Sequence, residues 1–183
     1  MRIEDRATVE DLYRTRVEGK AELVDGKLRL MSPTGALPGY AGGEIFASLR
    51  EYARRTRSGV AFPDNVGFVV DLPSRRSFSP DAAFYQGPPP EMQFAQGAPV
   101  FAVEVRGQGD YGPEAERERA QKRADYFAAG TRVVWDVDLL SPEVVRCHRA
   151  DSPDVPMVFR RGEVADAEPA LPGWRFPVDD LFF

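Results

Sequence analysis

Two strongly apolar segments, separated by one long helical pattern, constrain the fold more than any other feature of this 183-residue sequence. The first segment, VFAVEV at 100–105, places apolar side chains on both faces of a strand and interrupts them only at Glu104. The second, TRVVWDVDL at 131–139, predicts a further buried strand. Strands that are apolar on both faces lie in the middle of a sheet that helices cover. The helix predicted over 112–130 is long enough for a right-handed crossover, so we expect the two strands to be parallel.

Shorter predicted elements precede this pair. Residues 7–18 predict a helix, and the dipeptide Asp25-Gly26 predicts the tight turn of a hairpin. Residues 32–43 have the composition of a loop, whereas residues 44–56 carry the apolar stripe of a core-facing helix. Two more strand predictions follow, one at 79–85 and one within 60–72 that is either a strand pair or a single bent strand.

The C-terminal part of the chain completes the predicted architecture. EVVRCHRA at 143–150 and VPMVFRRG at 155–162 predict an outer hairpin, and the apolar tail at 171–183 is expected to pack back onto the body. The order of elements predicts an α/β fold around one central sheet. The length predicts a single domain of residues 1–183.

The composition limits the kinds of functional site that the chain can build. A single cysteine, Cys147, and a single histidine, His148, exclude an intrachain disulfide and a zinc site built from several Cys and His side chains. Any metal site must therefore use carboxylates, which suit Mg²⁺, Mn²⁺ and Ca²⁺. The net charge of -5 argues against a broadly cationic nucleic-acid surface, so phosphate binding must be local.

The sequence contains no signal for a membrane or for export. No apolar run approaches membrane-spanning length, and the first residues alternate acids and bases without the apolar core of a secretory signal. We therefore expect a cytoplasmic protein with no membrane partner.

Glu104 needs a partner, because an unpaired charge in a buried strand is unfavourable. Asp81 follows Pro80 at the start of another short strand, and if the two strands are neighbours, both carboxylates meet at one end of the sheet. Like charges this close raise each other's pKa unless a cation lies between them, which favours a Mg²⁺ site at this pair. Two alternatives stay open: Asp81 as a turn residue after proline, and Glu104 in a salt bridge to Arg106 or Arg132.

Several short motifs resemble a known class of nucleases. SPD at 79–81 and EVR at 104–106 resemble the PD-(D/E)xK signature of restriction-endonuclease-like nucleases, with Arg106 where that signature usually has lysine. A longer series, in chain order from residue 8 to residue 182, resembles the Uma-two family of endonucleases in that superfamily: AELVDGKLRLMSPTG, SPDAAFY, PVFAVEV, then Lys122 and Tyr126 followed by AAGTRVVWDVD, and LPGWRFPVDDLF. The resemblance implies a restriction-endonuclease-like mixed central sheet flanked by helices, with an N-terminal helix-hairpin and a C-terminal hairpin as additions.

The same resemblance implies a site and its chemistry. Asp81 and Glu104 would bind Mg²⁺ or Mn²⁺, and Lys122, supplied by the following helix, would orient the attacking water and stabilise charge on the phosphate. Glu22 matches a characteristic acid of the family and would complete the metal shell, unless it is an exposed strand glutamate. Arg106 would clamp a phosphate or offset acidic charge, because a guanidinium stays protonated. No cofactor besides the metal is implied.

These features imply a metal-dependent endonuclease that hydrolyses phosphodiester bonds in DNA, and pairing of two sites to cut both strands would make it a homodimer. The sequence departs from the family pattern at Pro38, where a histidine is common, and at Gly107, where a serine is common. Two alternatives therefore stay open: a catalytically inactive nuclease-like binding or assembly module, and a nuclease specific for RNA or for nucleic-acid structure. Helical spacing also leaves open whether Lys122 reaches Glu104.

Overall fold

The structure, a computed structural model, describes residues 6–14, 20–89 and 91–183. In chain order, the helices are α1 (Val9–Arg14), α2 (Ala36–Thr56) and α3 (Pro113–Ala128), and a short 3₁₀ helix follows at Val178–Leu181. The strands are β1 (Lys20–Val24), β2 (Lys27–Met31), β3 (Val60–Pro63), β4 (Phe68–Val69), β5 (Ser77–Phe78), β6 (Ala82–Tyr85), β7 (Ala95–Gln96), β8 (Phe101–Val105), β9 (Val133–Val137), β10 (Val145–Arg149), β11 (Ser152–Phe159), β12 (Val164–Asp166) and β13 (Arg175–Pro177).

A six-stranded mixed sheet, in the order β11-β10-β9-β8-β6-β3, forms the centre of the molecule. The neighbours β8 and β9 are parallel, with Glu104 opposite Asp136, and α3 connects them, which confirms the predicted parallel pair. The other four pairs of the sheet are antiparallel, including β6 with β8 and the predicted outer hairpin of β10 and β11. The antiparallel pairing of β6 with β8 brings the start of β6 beside the end of β8.

Both faces of the central sheet are covered. On one face, Phe101, Val103 and Val105 of β8 pack in a large core that includes α2 and the C-terminal residues. On the other face, Ala102 packs in a second core with Tyr126 of α3. This alternation along β8 follows the predicted faces of the strand and leaves Glu104 on the α3 side.

The C-terminal residues pack onto α2, as predicted. The indole N–H of Trp174 donates a hydrogen bond to the Ser48 hydroxyl at 3.1 Å, and the Tyr52 hydroxyl donates to the carbonyl of Pro172 at 3.0 Å. Apolar side chains of the same segment are buried in the core against β8 and β9: Leu171, Trp174, Phe176, Val178 and Leu181. Helix α2 and the C-terminal segment therefore contribute to one core.

Helix α2 begins at Ala36 and not at residue 44, so the predicted loop over 32–43 is wrong from residue 36 onwards. The glycines and the proline of this segment lower its intrinsic helix propensity, and close packing against the sheet compensates for that loss. A Cβ atom on Gly42 would lie only 3.5 Å from the carbonyl oxygen of Asp81. Pro38 lies in the first turn, where a backbone N–H has no helical partner in any case.

Two other predictions differ in part from the structure. The N-terminal helix begins at Val9, two residues after the predicted start, and it is helical to Arg14. The rest of the predicted helix, residues 15–18, lies outside the described residues. Within 60–72, β3 and β4 are separate strands of different sheets with a turn at 64–65 between them, so neither a strand pair nor a single bent strand is correct. In the described part of the chain, no helix combines the length and the apolar character needed to cross a membrane.

The glycine-rich start of α2 predicts a measurable gain in stability from one substitution. A Cβ atom on the exposed helical residue Gly43 would meet nothing within 4 Å, so Gly43→Ala should raise the free energy of unfolding by about 0.5–1 kcal/mol. The matched control is Gly59→Ala, whose Cβ atom would lie 2.4 Å from the carbonyl oxygen of Tyr85 and should lower stability by about 1–3 kcal/mol. Urea unfolding measures both, and a loss of stability in the first variant would contradict the packing described for α2.

Candidate active site

Asp81 and Glu104 lie at the same end of two neighbouring strands. The N–H of Asp81 donates to the carbonyl of Val103 at 2.9 Å, and Oδ2 of Asp81 accepts a hydrogen bond from the N–H of Val105 at 2.7 Å. The carboxylate of Asp81 is therefore held against the backbone next to Glu104. The predicted adjacency of the two strands is confirmed, and it brings these two acids together.

Helix α3 supplies two partners for the Glu104 carboxylate. The Lys122 ammonium lies 2.8 Å from Oε2, and the Tyr126 hydroxyl donates to Oε1 at 2.7 Å. The two residues are one helical turn apart, so they present their polar ends from the same side of α3. Lys122 thus reaches Glu104, which helical spacing left open, and Glu104 takes neither Arg106 nor Arg132 as its salt-bridge partner.

Glu22 of β1 is buried within this cluster and is not an exposed strand residue. Its carboxylate accepts from Arg75 at 2.6 Å and from the N–H of Ser79 at 2.8 Å, and it lies 2.9 Å from the ammonium of Lys122. Burial alone would raise the pKa of Glu22, but the charges of Lys122 and Arg75 outweigh it and lower that pKa. Glu22 is therefore ionised at neutral pH and helps to hold Lys122 in place.

Sequence reasoning missed Lys20 and Asp64. The ammonium of Lys20 lies 2.7 Å from Oδ1 of Asp81 and 2.8 Å from Oδ1 of Asp64. Lys20 stands two residues before Glu22 on the same strand, and this period of two was a signal that could have placed both on one face. Asp64 follows β3, whose pairing of Pro63 with Ala82 places it beside Asp81, and only the tertiary structure reveals that position.

Burial and crowding shift the pKa values of the central pair. Burial raises the pKa of Glu104, and the negative charges of Asp81 and Glu22 raise it further, against the opposing effect of Lys122 and Lys20. Burial lowers the pKa of the Lys122 ammonium, but the carboxylates of Glu104 and Glu22 outweigh it and raise that pKa. Lys122 therefore stays protonated at neutral pH and acts as a cation and a hydrogen-bond donor.

Arg106 lies in a separate ion-pair network behind the central pair. Its guanidinium contacts Asp136 at 2.9 Å and also binds Glu116, and the side chain is only 2% exposed. Arg119 of α3 contacts the same Asp136 at 2.5 Å. Of the two functions considered for Arg106, the structure favours offsetting acidic charge over clamping a phosphate, because carboxylates already occupy its guanidinium.

The two positions that depart from the family pattern lie near the site. Pro38 lines a cavity of about 130 Å³ together with Asp64 and Asp81, and five further residues complete its lining: Thr34, Gly39, Gly42, Gly43 and Pro63. Gly107 follows β8, and its N–H donates to Asp110 at 2.7 Å. The cavity gives access to Asp81 from the glycine-rich start of α2.

The charges of the site suit a divalent cation. One cation, Lys20, contacts two carboxylates, those of Asp64 and Asp81. Two cations, Lys122 and Arg75, contact three carboxylates, which belong to Glu22, Glu104 and Asp125. Each of these two sets has one more carboxylate than it has cations, so together they carry two excess negative formal charges. A divalent cation between Asp81 and Glu104 would neutralise this excess.

The number of protein ligands also suits Mg²⁺. Among the residues that the structure describes, no three Asp, Glu, His or Cys side chains come together as a ready-made metal cage. Two carboxylates, those of Asp81 and Glu104, could still serve, because Mg²⁺ is commonly held by one or two carboxylates with water and substrate phosphate as its other ligands. The donor set therefore fits a cation that binds together with a phosphate.

A comparison with protein-family models identifies the family of this chain. The model of the Uma2 (Uma-two) family, described as "Putative restriction endonuclease", matches residues 7–179. The chain belongs to the Uma2 family. No curated protein matches the chain.

A solved structure has the same fold as this chain. A crystal structure described as "a putative nuclease belonging to DUF820", from Anabaena variabilis ATCC 29413, superposes with a TM-score of 0.74 and 18% sequence identity, covering 96% of this chain and 97% of that chain. The predicted mixed α/β architecture, with a central sheet flanked by helices, is therefore correct. At this identity, the likeness concerns the fold alone.

The network behind the site predicts a pH-dependent contribution to stability. Burial opposes ionisation of Asp136, but the hydrogen bonds and charges of Arg106 and Arg119 outweigh it and lower the pKa of Asp136 from 3.8 to about 2. The resulting stabilisation, about 2 kcal/mol, is fully present above about pH 4 and is lost as the pH falls through about 2.

Unfolding by urea as a function of pH measures this contribution. We expect Asp136→Asn to be less stable than the wild type by about 2 kcal/mol or more at pH 7, with the difference shrinking as the pH falls from about 4 to 2. The control is Asp71→Asn, because the Asp71 side chain is 88% exposed and should contribute little at any pH. A difference between Asp136→Asn and the wild type that is the same at pH 2 and pH 7 would contradict the assignment.

Proposed function

We propose that the protein is a divalent-metal-dependent endonuclease that hydrolyses phosphodiester bonds in DNA. The observation that carries the proposal is the meeting of Asp81 and Glu104 at one end of neighbouring strands, with the Lys122 ammonium 2.8 Å from the Glu104 carboxylate. Membership of a family described as restriction endonucleases supports the same reaction class. The excess negative charge around the two acids supports a role for Mg²⁺ or Mn²⁺.

In this proposal, Asp81 and Glu104 hold the metal. Oδ2 of Asp81 is held by the N–H of Val105, and Oε1 of Glu104 is held by Tyr126, so both carboxylates are fixed before any ligand arrives. When bound, the divalent cation would lower the pKa of a water molecule and offset the charge that develops on the phosphate. Glu22 would support the site indirectly, because it anchors Lys122.

Lys122 would act as a cation and not as a general base. Its pKa is raised by the carboxylates of Glu104 and Glu22, which outweigh the effect of burial, so its ammonium holds its proton at neutral pH. A protonated amine cannot take a proton from water, but it donates hydrogen bonds to anionic oxygens. Lys122 would therefore orient the attacking water and stabilise charge on the scissile phosphate.

The substrate assignment follows from the family description and from the local distribution of charge. With a net charge of -5, the protein would bind DNA through a few cations at the site and not through a basic surface. Competition among duplex DNA, single-stranded DNA and RNA for the same protein would measure the preference. Preferential cleavage of RNA would overturn the DNA assignment and leave the chemistry in place.

The assembly, domain and location predictions add to this proposal. A homodimer would pair two sites and cut both strands of a duplex, and sedimentation in the presence of a short duplex would reveal it. A single domain of residues 1–183 and a cytoplasmic location stay predictions as well.

The metal-binding role predicts the loss of plasmid nicking on substitution of either acid. With Mg²⁺ or Mn²⁺ present, Asp81→Asn and Glu104→Gln should each reduce the nicking rate by about 100-fold or more, because each removes one anionic ligand. The matched control is Glu91→Gln, which changes an exposed acid outside the site and should cut at the wild-type rate. Persistent cutting by either site variant, with a normal unfolding curve, would remove the assignment.

The cationic role of Lys122 predicts different results for two substitutions. Lys122→Met should reduce nicking by about 100- to 1,000-fold, because it removes a charged donor from the phosphate. Lys122→Arg should retain more activity than Lys122→Met, since a guanidinium remains a cation although it cannot serve as a base. The control is Arg117→Met on the exposed side of α3. Equal inactivity of both Lys122 variants, with folding intact, would favour a general base over a cation.

A further inference from the structure

Lys20 is a second ammonium group at the candidate active site. Its Nζ atom bridges Oδ1 of Asp64, at 2.8 Å, and Oδ1 of Asp81, at 2.7 Å. The side chains of Lys20 and Asp81 are each only 14% exposed, so this pair is largely shielded from solvent. Burial lowers the pKa of Lys20, but the negative charges of Asp81 and Glu104 outweigh it and raise that pKa.

The oxygen that Lys20 binds is the one that a metal would need. Oδ2 of Asp81 already accepts a hydrogen bond from the N–H of Val105, whereas Oδ1 contacts Lys20. A divalent cation on Asp81 would therefore compete with the Lys20 ammonium for Oδ1. A metal on Oδ1 and the Lys20 ammonium would repel each other at this oxygen, so metal binding would displace Lys20 from Asp81.

Lys20 has a second anchor that would keep it in the site after this exchange. Asp64 holds the ammonium from the side of β3, and the long lysine side chain can shift without losing that contact. An ammonium has three donors, of which Asp64 and Asp81 use two. Release of Asp81 would therefore leave two donors free, at the edge of the cavity that Asp64 and Asp81 line.

We propose that Lys20 yields Oδ1 of Asp81 to the divalent cation, stays anchored on Asp64 and binds an oxygen of the substrate phosphate. This inference rests on the proposed metal-dependent function and adds a residue that positions the phosphate. It also gives a role to each of the two lysines at the site, since Lys122 contacts Glu104 and Lys20 contacts Asp81. The site would then bind metal and phosphate together, because the ammonium that leaves Asp81 regains a second anionic partner beside Asp64 only when phosphate is present.

A purely structural salt bridge makes a different prediction. If Lys20 only stabilised the fold, its removal would loosen Asp81 and weaken every binding event at the site. If Lys20 competes with the metal and binds phosphate, its removal should strengthen metal binding and weaken phosphate binding. The opposite signs of these two effects separate the hypotheses.

The experiment compares Lys20→Met with the wild type in two titrations of the whole chain. In calorimetry with Mn²⁺ alone, we expect the variant to bind about tenfold more tightly, because a competing positive charge is gone. In fluorescence anisotropy with a short labelled duplex and Ca²⁺, we expect it to bind about tenfold more weakly, because a phosphate contact is gone. Unchanged or weaker binding of Mn²⁺ would overturn the proposal, as would unchanged binding of the duplex.

Two further variants control for charge and for folding. Lys27→Met removes an exposed lysine from the neighbouring strand of the same hairpin and should match the wild type in both titrations. Lys20→Arg keeps the charge, so it should bind the duplex more tightly than Lys20→Met. If Lys20→Met does not fold, Lys20→Gln takes its place with the same expected signs.

Plasmid nicking by the wild type separates this proposal from the proposed function. If the wild type does not cut DNA, but Lys20→Met binds Mn²⁺ more tightly and the duplex more weakly, the role of Lys20 stands and the nuclease assignment fails. If the wild type cuts DNA with Mn²⁺ and Lys20→Met shows neither shift, the role of Lys20 fails alone.

Discussion

The carboxylate of Glu104, on the α3 side of β8, is the constraint on which the rest of the site depends. A charge buried between a sheet and a helix is unfavourable unless other groups compensate it. Helix α3 supplies that compensation with the ammonium of Lys122, which lies 2.8 Å from both oxygens of the carboxylate, and with the hydroxyl of Tyr126, which donates to Oε1. The packing of α3 on the sheet therefore also brings the partners of Glu104 into the site.

The charges on this side of the sheet fall into two groups that use different cations. Behind Glu104, Arg106, which directly follows β8, and Arg119 of α3 hold Asp136 firmly ionised, and carboxylates occupy the guanidinium of Arg106. In front, the carboxylates around Lys20 and Lys122 outnumber their cations. Arg106 therefore stabilises the scaffold, and a lysine from α3 contacts the two glutamates of the candidate site.

The central architecture could be predicted from the sequence because its signals are local. A parallel pair was indicated by the continuous apolar character of β8 and β9, with a capped helical pattern between them. The meeting of two carboxylates was indicated by the proline before Asp81 and by the acid at position 104. The start of α2 could not be predicted in this way, because Gly39, Gly42 and Gly43 disfavour a helix until the sheet packs against it. Asp64 could not be predicted for a related reason, because its position beside Asp81 depends on the pairing of β3 with β6. Lys20 was missed although its alternation with Glu22 along β1 was a usable signal.

The packing of residues 171–181 onto α2 has a consequence for the order of folding. The contacts of Trp174 with Ser48 and of Pro172 with Tyr52 join positions 126 and 120 residues apart in the chain. Until those late residues leave the ribosome, the apolar stripe of α2 has no cover on that side, and a nascent chain stalled before residue 171 would expose it to chaperones. Synthesis of residues 171–181 thus supplies the cover of α2 on that side.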